Sequence, residues 1–142
     1  MKRGDSLMRL KRFRVDDMKR RLATLDGMKA DLERKLADLE ESVARERHRA
    51  NDSDIGRLAF PSFLRSIDAR RENLRNTLKE IEREHASALL DLNNAFQDLK
   101  ALEFATEQQA KRLAEIETRR AQTRMDEMAL VRHLRKHSLR SA

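Results

Sequence analysis

Four histidines, His48, His85, His133 and His137, are the side chains of this sequence best suited to acid–base or metal chemistry near neutral pH. His133 and His137 are spaced i, i+4, which puts two imidazoles on one face of a helix, as a two-histidine metal site requires. The surrounding stretch "RHLRKH" adds Arg132, Arg135 and Lys136, and no third ligand is close in sequence. A solvated basic face is the reading that follows. No serine or carboxylate stands in a recognisable relation to any histidine, and there is neither a cysteine nor a glycine-rich phosphate loop. The expectation is a protein that is not an enzyme and uses no cofactor, metal or small-molecule substrate.

The elements that carry these side chains can be read from composition. Charged residues make up 40% of the chain, hydrophobic residues 39% and aromatics 4%, with no Trp, Tyr or Cys. That is the usage of a long helix or coiled coil, with little bulky material for a broad core. The absence of cysteine fits a cytoplasmic setting. The basic opening "MKRGDSLMRLKRFR" is not followed by an apolar run, so it is not read as a signal peptide. No segment approaches the roughly 18 to 20 apolar residues of a membrane span.

Apolar residues recur at alternating spacings of three and four. From Val15 the row passes through Met18, Leu22, Leu25, Lys29, Leu32, Leu36, Leu39, Val43, Glu46 and Ala50. A second row starts at Phe60 and continues through Leu64, Ile67, Arg71, Leu74, Leu78, Ile81, His85, Ala88, Leu92, Ala95, Leu99 and Leu102. Both are seams of the kind that pair helices in coiled coils. Of their polar members, Lys29 and Glu46 are expected to weaken the seam locally and to set register in place of chemistry, and His85 is read as a tolerated polar seam residue.

Between the rows, "NDSDIGRLAFPSF" (residues 51–63) gathers the only proline, a glycine and two phenylalanines. Its short polar residues compete with helical hydrogen bonds, and proline fits a first helical turn. This predicts an all-α fold: one domain spanning residues 1–142, an elongated antiparallel two-helix coiled-coil hairpin with the second helix longer. The expected spans are helix one at about 5–50, a turn at about 51–60 and helix two at about 61–138. A turn centred near residue 55 pairs positions whose numbers add to about 110, so Leu22 falls near Ala88, Met18 near Leu92 and Val43 near Ile67. The first helix is then exhausted near residue 106, where the continuing seam, Thr106, Gln109, Leu113, Ile116, Arg120, Thr123 and Glu127, turns mostly polar.

The net charge of +7 is unevenly distributed. Residues 1–21 hold nine Lys/Arg against three Asp/Glu, and residues 108–142 nine against four. Folding back gathers both into one basic pole suited to an acidic partner. Nonspecific nucleic-acid binding and a generic coiled-coil scaffold are the alternatives. The first is disfavoured by the lack of Tyr and Trp for stacking and by the interleaved acids. In "RRAQTRMDEMALVRHLRKHSL" (residues 119–139), unpaired Met and Leu beside cations suggest a docking helix.

The hairpin, the second helix opening at "FPSFLRSIDARRENL" and the late "RMDEMALVR" together resemble the FliJ family, a coiled-coil component of the flagellar type III export apparatus. The resemblance covers nearly the whole chain. It implies a stalk, similar to the two-helix part of a rotary ATPase gamma subunit, set in the ring of the flagellar export ATPase. It also implies contact with that ATPase's regulator, with the export gate protein FlhA, and with export chaperones or substrates, at the cytoplasmic face of the inner membrane under the flagellum. Carried onto this chain, the gate contact falls near Leu39, Phe60, Phe63 and Ile67. The ring contact falls at Arg120, Arg124, Met125, Asp126, Glu127, Met128 and Arg132, with Arg12 and Arg14 from the other terminus.

Overall fold

The structure is a computed structural model that describes residues 3–140. Two helices account for the fold: α1 spans Arg3–Asp52 and α2 spans Asp54–Arg140. At 1.5 Å per residue they measure about 75 Å and about 130 Å. Helices this long depend on a partner for stability. They pack against each other as an antiparallel hairpin, with the longer helix overhanging the shorter.

The seam accounts for the packing. Every row position from Val15 to Ala50 and from Phe60 to Leu102 is buried or half-buried, including Lys29, Glu46, Arg71 and His85. One core cluster joins Val15 to Ala95 and Leu99, with Met8, Met18 and Leu92 against it. A second joins Leu25 to Ile81 and Ala88, flanked by Leu22 and Leu32. Met8 and a half-buried Lys11 carry the seam one heptad nearer the N-terminus than the row that begins at Val15.

Polar contacts fix the alignment. His85 Nε2 lies 2.9 Å from Asp26 Oδ1, and Arg71 Nη2 donates to Glu40 Oε2 at 2.9 Å. The residue numbers of each pair add to 111, against the expected 110. Arg71 Nε lies 2.7 Å from Glu40 Oε1 as an ion pair, but its N–H is not aligned for a hydrogen bond and this buried atom has no acceptor. On the outer faces, pairs such as Asp31 with Arg34 and Glu107 with Lys111 add the modest support of neighbouring helical turns.

The connection corrects the expected turn at about 51–60: Ser53 alone separates the helices. Ser53 is an N-cap, its Oγ accepting from Gly56 N at 3.1 Å while its carbonyl accepts from Arg57 N at 3.1 Å. Gly56 permits the tightness. A Cβ there would stand 2.9 Å from the Arg49 carbonyl oxygen and 3.2 Å from Ala50 Cα, so only a residue without a side chain fits against the end of α1. Pro61 therefore lies inside α2, on its exposed face, and not in its first turn. There it forfeits one backbone hydrogen bond, and the helix continues through it.

Candidate partner-docking surfaces

At the turn end, the Phe60 and Phe63 rings stack with centroids 6.5 Å apart, and the Arg47 guanidinium lies 6.0 Å from the Phe60 ring. Both rings are half-buried. Beyond them, Ile55 and Leu58 project from the first turns of α2 and are 80% and 83% exposed. The charges around this tip are matched within single turns: Glu46 with Arg49, Asp52 with His48 and Asp54 with Arg57. The tip therefore presents apolar surface in a nearly balanced field.

The opposite end has another character. With pairs adding to 111, Arg3 at the start of α1 faces residue 108, and Gln108 is the last residue of α2 with any substantial burial. Residues 109–140 are all exposed. This free helix is about 48 Å long. It displays Leu113, Ile116, Met125, Met128, Leu130, Val131 and Leu134 to solvent, each at least 42% exposed. Thr118 and Thr123 return their hydroxyls to the carbonyls of Ala114 and Arg119, which keeps these polar positions helical.

The His133 and His137 rings stack 6.0 Å apart, and among the described residues no group of three or more His, Cys, Asp or Glu could hold a metal ion. Among the described residues no helix is long and apolar enough to cross a membrane. The long two-helix hairpin thus carries exposed apolar side chains at one tip and an uncovered stretch of helix at the other. A protein-family model described as Flagellar FliJ protein matches residues 1–138. The chain belongs to the FliJ family. No curated protein and no solved structure gives a significant match. FliJ membership supports a flagellar export-related role and implies interaction with the export apparatus.

The expected contact residues of this FliJ chain are placed unequally for such roles. At the turn end, Leu39, Phe60 and Phe63 are half-buried, whereas Ile67 is 3% exposed and belongs to the seam. Pattern reading passed over Ile55 and Leu58 because both fall outside the seam row; their position next to Gly56 and a capping serine is the signal that could have found them. At the other end, Arg120, Arg124, Met125, Asp126, Glu127, Met128 and Arg132 are all exposed along the free helix. Arg12 and Arg14 are also exposed, but they flank the two-helix part, where Arg12 lies 3.9 Å from Glu103. From residue 103 to residue 120 is about 25 Å along the axis. The two basic segments thus share an end of the molecule without forming one compact patch.

Proposed function

We propose that this FliJ chain is a non-catalytic stalk coupling the flagellar export ATPase to the export gate. Its terminal end, with Arg12, Arg14 and the span from Arg120 to Arg132, engages the ATPase ring and the ATPase regulator. Its turn end, with Leu39, Phe60 and Phe63 over the buried Ile67, meets the gate protein FlhA. Export chaperones or substrates are further partners, and the stalk works at the cytoplasmic face of the inner membrane.

The observation that carries this reading is the bare segment of α2. Thirty-two residues, 109 to 140, continue as exposed helix past the start of α1, with apolar side chains spread among cations. A helix of this kind gains stability by entering a partner's groove. The opposite end reaches about 75 Å away along α1, so the hairpin can span two partners.

Pull-down of the purified chain with the flagellar export ATPase at moderate salt, together with ATPase rates, tests the reading. Retention and stimulation are expected. Retention on DNA with a steep salt dependence, and none on the ATPase, would replace it with nonspecific nucleic-acid binding.

A further inference from the structure

The row of three-and-four spacings that α1 covers as far as residue 108 does not stop there. Along the free helix it continues through Gln109, Leu113, Ile116, Arg120, Thr123, Glu127, Leu130 and Leu134, all of them exposed. Its apolar members stand at the two ends, Leu113 and Ile116 at 53% and 42% exposure, Leu130 and Leu134 at 58% and 57%. Polar members fill the middle. Each flank of that middle carries two opposite charges one heptad apart, Arg119 and Asp126 on one side, Glu117 and Arg124 on the other. Such a segment is complementary to its own reverse.

An antiparallel second copy matches this pattern. A two-fold axis between Ala121 and Gln122 sets Leu113 opposite Leu130 of the second copy, Ile116 opposite Glu127, Arg120 opposite Thr123 and Gln109 opposite Leu134. On the flanks Arg119 then meets Asp126 of the other chain and Glu117 meets Arg124, each pair occurring twice by symmetry. Charge selects this register. A slip of one heptad in one direction brings Asp126 against Asp126 and Arg124 against Arg124; in the other it brings Arg119 against Arg119 and Glu117 against Glu117. Parallel in-register pairing stacks Arg120 on Arg120 and Glu127 on Glu127, and sets Arg119 against Arg124. Length agrees as well: residues 109–134 give about 39 Å of seam, so the incoming helix takes over where α1 begins opposite residue 108. We infer that two copies of this chain pair antiparallel through residues 109–134 of α2, with their turn ends pointing apart.

The pairing covers Arg120, Arg124, Asp126 and Glu127, so a paired chain cannot offer them to an ATPase ring, and the two associations exclude each other. The pairing itself does not rest on the ATPase reading, and its test contains this chain alone. Sedimentation equilibrium of the full chain from about 1 to about 100 µM should show the mass approaching twice that of the monomer at the upper end. Asp126→Arg puts like charges against Arg119 of the other chain and should weaken association at least about tenfold. Adding Arg119→Asp exchanges the two charges and should restore it. The chain has no cysteine, so Leu113→Cys and Leu130→Cys chains can be mixed and oxidised to read polarity. Crosslinks should form between the unlike variants and not within either variant alone. A monomer at every concentration overturns the inference, as does association that Asp126→Arg leaves unchanged or that the charge exchange fails to restore. Crosslinking of like with like would replace it with parallel pairing.

Discussion

Arg71 and Glu40 are joined across the hairpin by an Nη2–Oε2 hydrogen bond of 2.9 Å, although Arg71 occupies a seam position that elsewhere in α2 is mostly apolar. Asp68 holds the other side of the same guanidinium, 2.9 Å from Nη1. The second polar member of the α2 seam, His85, is matched in the same way by Asp26. Slipping the helices by one heptad would put Arg71 opposite Arg47 in one direction and His85 opposite Lys19 in the other. The two pairs therefore select register against its nearest competitors.

A double-mutant cycle with Glu40→Gln and Arg71→Met measures this coupling. Arg71 is 20% exposed and Glu40 58%, so a favourable interaction of about 0.5–1 kcal/mol is expected from urea unfolding. Additive effects of the two substitutions would remove the pair from the account of register.

The glycines inside the helices should respond in opposite directions. Gly27 has nothing within 4 Å of a built Cβ, so Gly27→Ala should stabilise the hairpin by about 0.5–1 kcal/mol through helix propensity. Gly56→Ala gains the same propensity but drives its Cβ to 2.9 Å from the Arg49 carbonyl oxygen, and should lower the melting temperature. A stabilising Gly56→Ala would mean that the turn is looser than described.

Cysteines placed at Leu22 and Ala88, which share a core cluster, should crosslink within one chain on oxidation. Crosslinking only between chains would require a swapped or parallel dimer. This pairing was legible from sequence because a seam of fixed period, folded about one break, leaves a single free parameter: the position of the turn. An error of about one residue in the pair sum left Leu22 beside Ala88 and Met18 beside Leu92. The same arithmetic located the end of burial, since α1 must run out opposite residue 108.

The length of the turn was not legible. Asn51 to Gly56 mark a break by composition, but whether a break takes ten residues or one depends on how closely two backbones approach, and that is decided by Gly56 against Arg49 in three dimensions. Ile55 and Leu58 fall outside the seam row and inside the expected loop, so their exposure on a helix follows only from the one-residue turn. The axial gap between Arg12 and the Arg120 to Arg132 span arises because α2 keeps going straight where α1 starts.

At the tip, Phe63→Ala should reduce motility while leaving helicity and ATPase binding nearly intact, because it removes apolar area far from the terminal end. Leu58→Ala is the sharper control. Leu58 is 83% exposed, so its loss should change stability by less than about 0.5 kcal/mol, and any motility defect reports a partner. Normal motility in both variants would contradict a docking role for the tip.

The most direct test of the stalk is truncation after Gln108, the last substantially buried residue of α2. The shortened chain keeps both core clusters intact. It should stay helical yet lose retention by the flagellar export ATPase. Retention equal to that of the full chain would contradict the assignment of the free helix to the ATPase ring.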